Sequence, residues 1–230
     1  MQEFTHKSER ELTIADFNKE HHLPKVTPKN LDILLADGWR HFGTYFFRHT
    51  LNFHEEQLVI VFPFRINLKK FSYTKSQRKL IRNNKDIKVV YRPANITDEK
   101  MEMFELHKQR FVDNIPNSIY DFVSTTPATI PCETLECCLY LKDKLIAVSF
   151  FDVGFNSTSA VYAMFLPEYE KYRPGIFTLL AEIEYGMNNN KLFHYSGHAY
   201  REKSHYDYKK GFRGTEFYNW KGQWIDIEHL

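Results

Sequence analysis

Between Lys69 and Lys88 eight Lys or Arg residues stand against a single acid, Asp86, a density that suits a polyanion. With Lys75 to Asn83 read as a helix, Arg78 and Arg82 fall one turn apart, as do Lys75 and Lys79, so the four share a broad cationic surface. Charge alone reads equally as a solvated helix face without a partner. A second stretch runs from His198 to Arg213, where Tyr200, Arg201, Lys203, Tyr206, Tyr208, Lys209, Lys210 and Phe212 interleave rings with cations. Rings stack on unpaired bases and cations pair with phosphates, so the mixture suits a single-stranded nucleic-acid end. Glu182 and Glu184 offer carboxylates for base chemistry, on positions of one helix that face differently. His194 and His198 flank Gly197 as further acid-base candidates.

Metal chemistry has little support. His49 and His54 with Glu55 and Glu56 would make a weak oxygen and nitrogen site, and two histidines five apart are ordinarily surface residues. The three cysteines, Cys132, Cys137 and Cys138, are an odd number in no metal-ligand spacing, which argues for a reducing compartment. Adjacent Cys137 and Cys138 point to opposite faces of a strand, so at least one is expected in the core. Met1 to Lys7 is polar and no run of about twenty apolar residues occurs, so the chain reads as cytoplasmic and not membrane-spanning. With a net charge of +2, nucleic-acid affinity has to come from local clusters and not from a global field.

The elements that position these residues divide near Asn83 to Arg92. Before it, alternation around Thr44 to Phe47 and Leu58 to Phe62 predicts strands. After it comes a strand over Ile87 to Tyr91 before Pro93. Thr97 reads as the N-cap of a helix with Asp98 and Glu99 in its first turn and an apolar stripe of Met101, Phe104 and Phe111 running through Val112. A short helix over Asn117 to Phe122 follows. Three hairpin strands come next, Thr134 to Lys142, Lys144 to Val153 and Ser159 to Leu166. Pro174-Gly175 opens a helix to about Asn188, Lys191 to Ser196 is a strand, Ser204 to Lys210 a short helix, and Thr215 to Asn219 and Gln223 to Ile227 are the last strands. The expected class is α+β, with residues 1–85 as a smaller N-terminal α/β lobe carrying the basic helix and residues 86–230 as the main domain.

Several segments in order resemble one family. Leu34 to Gly43 with Gly38-Trp39-Arg40, Pro63-Phe64-Arg65-Ile66, Ser76-Gln77-Arg78-Lys79 with Arg82-Asn83, Ser159 to Pro167, Gly175-Ile176-Phe177, Tyr195-Ser196-Gly197, and Tyr208-Lys209 with Phe212 and Trp224 are similar to the aminoacyl-tRNA-protein transferases. That family comprises arginyl-tRNA-protein transferases and bacterial leucyltransferases acting on N-terminal Asp and Glu. The resemblance implies a GNAT-type acyltransferase fold in residues 86–230 and transfer of an amino acid from aminoacyl-tRNA to a protein or peptide N-terminus. Members typically carry a cysteine cluster after the Gly-Trp-Arg step, associated with a metal or iron-sulfur site. Tyr45 to Val59 here contains no Cys, so no metal and no cofactor is expected.

By the same resemblance Tyr162, Tyr208 and Lys209 are the candidate catalytic contacts. Gly175, Phe177, Tyr195 and Gly197 are candidates for holding the donor, and Lys75, Gln77, Arg78, Lys79 and Arg82 for holding tRNA. Acyl-CoA is the alternative donor of this fold. Its users ordinarily place small residues around the pyrophosphate, whereas Ile176 and Phe177 follow the single Gly175. A non-catalytic RNA-binding relative is the third reading. Ester aminolysis is favourable, and roughly a fifth of an α-amine is already neutral near pH 7.4, so positioning and oxyanion donors carry most of the expected rate.

Overall fold

The computed structural model describes residues 17–54, 57–112, 115–202, 204 and 206–230. Glu55, Glu56, Lys203 and the polar N-terminal stretch lie outside the described residues, as does the His54 side chain. The fold is a mixed α/β arrangement built on one large mixed sheet.

Four strands form an antiparallel meander: β6 (Ile87–Pro93), β7 (Thr134–Leu141), β8 (Lys144–Val153) and β9 (Ser157–Phe165). The turn between β7 and β8 places Lys142 at φ 55, the left-handed backbone that a tight hairpin demands. Every residue of β8 after Lys144 is buried, as its unbroken apolar run requires of a strand covered on both faces. The covers are helices. On one face α2 (Lys75–Asn83) and α4 (Pro174–Asn188) contribute Leu80, Leu180 and Ile183 to a core with Cys137 and Leu139. On the other, α3 (Asp98–Lys108) contributes Met103 and Phe104 to a core with Cys138 and Val148. Both adjacent cysteines are therefore fully buried, each in its own core.

α4 crosses from β9 to β10 (Phe193–Tyr200), which lie parallel. Beyond β10 the order continues through β5 (Gln57–Asn67), β11 (Thr215–Tyr218) and β12 (Trp224–Asp226), with β4 (Leu51–His54) alongside β5, nine strands among the described residues. The expected division near residue 85 falls between α2 and β6, but the sheet does not respect it. β5 sits between β10 and β11. The rest of the N-terminal part is α1 (Pro28–Ala36) and a small antiparallel sheet of β1 (Lys19–His22), β3 (Tyr45–Arg48) and β2 (Arg40–Phe42). Leu31, Leu35, Trp39 and Phe46 pack there with Cys132 and with Tyr195 of β10.

Three expected elements differ. α3 ends at Lys108 and does not run through Val112, which is 89% exposed. Its buried residues include Lys100, Met103, Phe104 and His107 and not Met101, because Lys100 turns inward to a carboxylate, Glu136 of β7. The short helices expected near residues 117–122 and 204–210 are 3-10 turns, Ile119–Asp121 and Asp207–Gly211.

Candidate active site

β9 and β10 hold parallel register for three pairs, Ser157 with Phe193 to Ser159 with Tyr195, and then separate. The separation has a local cause. β10 bulges between Tyr195 and Gly197, where Gly197 takes φ +103. Opposite the following His198 lies Pro63 of β5, which has no N–H to offer the ladder. The wedge opens into a cavity of about 490 Å³, with Tyr162 on one wall, Gly197 and His198 on the other, Gly175 and Glu182 of α4 behind, and Tyr208 and Lys209 over it.

Lys209 is buried at 9% exposure on the Asp207–Gly211 turn, its Nζ donating to the His198 carbonyl at 3.0 Å and lying 4.8 Å from the Tyr206 ring centroid. Burial, and then the nearby Arg40 guanidinium, pull its pKa down to about 7. A Cβ on Gly197 would stand 2.7 Å from that Nζ. Gly197→Ala is therefore expected to displace the lysine, lowering any turnover at least about tenfold and costing about 1–3 kcal/mol through the forced positive φ; a kinetic assay beside a denaturant titration reads both.

Arg40 plugs the base of the wedge. Its Nη1 donates to Ser159 Oγ at 2.8 Å and its Nη2 to the Phe64 carbonyl at 3.2 Å, with the Tyr195 ring 5.5 Å away. Burial draws the guanidinium down to about 10. Beside it His41 donates Nε2–H to Asp152 at 2.7 Å and Nδ1–H to the Gly43 carbonyl at 2.9 Å, and Thr134 donates to the other Asp152 oxygen. Two oxygen acceptors require an imidazolium: burial alone would lower the His41 pKa, and the Asp152 charge and hydrogen bond raise it instead. Cys132 Sγ lies 3.9 Å from His41 Nε2. His41, Cys132 and Asp152 thus sit together, but as an ion pair with a thiol beside it. The thiolate set of an iron-sulfur group is not assembled among the described residues, since Cys137 and Cys138 lie on opposite faces of β7, and no step is routed through such a group.

Five of the seven residues singled out for catalysis or donor binding line the cavity: Tyr162, Gly175, Gly197, Tyr208 and Lys209. Tyr162 stacks on Phe122 at 3.9 Å between centroids and its hydroxyl has no hydrogen-bond partner among the described residues. The other two lie elsewhere. Phe177 packs in the core beneath α4, and Tyr195 is held between Arg40 and Trp224. Of the two helix carboxylates Glu182 is buried at the cavity and Glu184 is exposed. His194 is buried, bonded to Thr158 Oγ1 at 2.8 Å and driven to about 3 by burial. His198 lines the cavity, its ring edge-on to Phe47 and its pKa well below the usual range through burial. His49 pairs with Glu20 at 3.1 Å.

On the basic helix, Gln77 is not a surface contact. It closes a capping box, its backbone N–H bonding Thr74 Oγ1 while its side chain accepts from the Thr74 N–H. Lys75, Lys79 and Arg82 are exposed, and exposed Arg78 donates to the Tyr73 carbonyl. The ring-and-cation stretch reaches this helix: Arg213 donates to Ser72 Oγ at 3.2 Å, and Phe212 shares a core with Leu80. Asn84 at the other end of α2 donates to the Tyr172 carbonyl, just ahead of α4.

Residues 92–219 match the family model described as arginine-tRNA-protein transferase, C terminus. The chain belongs to that family. The match spans β6 to β11 and so includes Tyr162, Glu182 and Lys209, while Arg40 and the basic helix lie ahead of it. An aspartate/glutamate leucyltransferase of Campylobacter jejuni is 26% identical over 189 residues, 80% of this chain and 77% of that one. One from Helicobacter hepaticus is 24% identical over 205 residues, 85% and 81% of the two chains. Among solved structures FemX superposes with a TM-score of 0.50 at 10% identity, covering 87% of this chain and 69% of its own, a likeness of fold alone. No helix among the described residues is long and apolar enough to cross a membrane. Membership makes this chain an aminoacyl-tRNA-protein transferase family enzyme. Arg40 and His41 also line the cavity, and neither stands out among the chemistry-bearing residues of the sequence although both lie in the Leu34 to Gly43 segment.

Proposed function

We propose that the cavity between β9 and β10 carries out transfer of an aminoacyl group from tRNA to the α-amine of a protein or peptide N-terminus, in the cytoplasm, with an acidic first residue as acceptor. The observation that carries the reading is Lys209: a buried amine over the cavity, without a carboxylate partner among the described residues. An Asp or Glu side chain of the acceptor supplies that partner and restores the charged lysine. The names of the Campylobacter and Helicobacter relatives support this acceptor. We read the fold as GNAT-type, supported by the parallel β9 and β10 that splay ahead of a crossover helix.

In this reading the amine attacks the ester carbonyl carbon, and the tetrahedral oxyanion collapses with loss of the ribose oxygen. Tyr162, whose hydroxyl is unpartnered, donates to that leaving oxygen. Gly197 keeps the floor free of a side chain, Gly175 lines the cavity at the start of α4 with the Phe165 ring 4.0 Å from where a Cβ would stand, and Tyr208 stands at the mouth, where a terminal adenine can stack. Lys75, Lys79 and Arg82, with Arg78, hold the tRNA backbone. No cofactor enters the scheme. Lys75→Glu with Lys79→Glu and Arg82→Glu is expected to raise KM for charged tRNA at least about tenfold at low salt and to flatten its salt dependence. Turnover measured from charged tRNA and from acetyl-CoA across a salt series tests donor and helix together; an unchanged salt slope refutes the helix assignment, and acyl transfer from the thioester alone refutes the donor.

A further inference from the structure

One carboxyl group in the cavity has no assigned task. Glu182, one helical turn past Thr178 on α4, is 2% exposed and lines the cavity, and its Oε2 has no hydrogen-bond partner among the described residues. His194 Nε2 lies 3.5 Å away and is itself without a hydrogen-bond partner among the described residues. A buried carboxyl at a cavity is costly to keep charged unless a cation faces it, and His194, held neutral by burial, is not one. The acceptor does bring a cation, its α-ammonium.

We propose that the Glu182 carboxylate receives the α-ammonium of the acceptor and takes its first proton. The inference rests on the transferase reading and adds the group that handles the amine, while Lys209 faces the acceptor's acidic side chain. The steps balance. One ammonium proton passes to a Glu182 oxygen, and the freed lone pair forms the C–N bond as the carbonyl π bond opens to the oxyanion. As the oxyanion collapses and the C–O bond breaks, the Tyr162 hydroxyl gives its proton to the ribose oxygen and takes the second proton from the nitrogen, the third stays on the amide, and Glu182 releases its proton to solvent.

The surroundings fit proton exchange. Burial, set against a Ser149 hydrogen bond, and then the Asp152 charge raise the Glu182 pKa to about 8, and an α-amine titrates at about 8, so a proton passes between them at little cost. The groups that feel Glu182 are Cys137 on β7, Tyr91 on β6 and Tyr208 on the turn, with Ser149 and Asp152 on β8 and His194 on β10. His194 is held neutral by burial. Arg40 and Lys209 also line the cavity and are engaged elsewhere, Arg40 by Ser159 Oγ and the Phe64 carbonyl and Lys209 by the His198 carbonyl.

The test is Glu182→Gln, assayed with charged tRNA as donor and two nucleophiles, an Asp-initiated peptide and hydroxylamine. Hydroxylamine is uncharged at neutral pH and needs no proton removed before attack. The expected result is a loss of about 10²-fold in kcat with the peptide at pH 7, shrinking toward pH 9.5 where the peptide amine is already neutral, with hydroxamate formation within about threefold of wild type by the same argument. Equal losses with both nucleophiles, or a peptide loss independent of pH, would make Glu182 structural and overturn the proposal, as would full peptide activity. A wild type that makes hydroxamate but no peptide product refutes the transferase reading itself, and this inference with it.

Discussion

Lys209→Met is expected to lower kcat/KM for an Asp-initiated peptide about a hundredfold while raising the melting temperature. The side chain lies over the cavity with one bond, to the His198 carbonyl, and methionine keeps the length of its stem. A charge-assisted bond to the acceptor is worth about 2–3 kcal/mol, and each 1.36 kcal/mol is about tenfold in rate. The stability gain follows from the opposite side of the same fact. A buried ammonium without a carboxylate partner among the described residues is a cost, and the folded chain answers by giving up its proton near pH 7 where the unfolded chain holds it to 10.5. Between those values the unfolded state binds more protons, so wild-type stability rises with pH. The advantage of methionine is therefore largest below pH 7 and fades toward 10.5. Melting curves at pH 6 and 9 beside a peptide-transfer assay check both halves; a variant that loses activity and stability together would make Lys209 a packing residue.

The largest loss of stability is expected from Glu136→Ala, away from the cavity. Glu136 is fully buried on β7, accepting from Arg92 Nε at 2.5 Å, from Lys100 Nζ at 2.6 Å and from the Asn95 N–H at 3.0 Å. Lys100, also buried, donates to the Asn95 carbonyl as well. Removing the carboxylate strands a buried ammonium, and breaking one half of a buried pair costs about 3–5 kcal/mol, or about 10 °C in a chain of this size. The double variant with Lys100→Met is expected to recover much of that loss, since of the three charges only Arg92 then remains, on a side chain 45% exposed. Urea unfolding of the single and double variants measures the coupling, and a single-variant loss under about 1 kcal/mol would contradict the network.

Much of the fold was legible because its signals are local. Pro174-Gly175 opens α4 and the Lys-Asp-Lys turn joins β7 to β8 where spacing placed them. What was not legible depends on residues far apart in the chain. Nothing in Gln57–Asn67 announces that it pairs with Phe193–Tyr200, so the N-terminal lobe was drawn as separate from the sheet it enters. Lys100 reads as the solvated face of a helix until Glu136, 36 residues on, is known to sit beneath it. The site divides the same way. Motif order brought Tyr162, Gly197 and Lys209 forward, and they meet at one cavity; it could not separate Phe177 and Tyr195, which serve the cores behind that cavity, nor Gln77, which caps its own helix.

The measurement that bears most directly on the central claim is the mass of an Asp-initiated peptide after incubation with this protein and a fully charged tRNA pool, beside an identical sample pretreated with RNase. Transfer from tRNA to an acidic N-terminus adds one amino-acid residue to the peptide, a gain abolished by RNase and absent when the first residue is uncharged. A folded protein that leaves the peptide mass unchanged, or that modifies it equally after RNase, would contradict tRNA-dependent transfer in the cavity between β9 and β10.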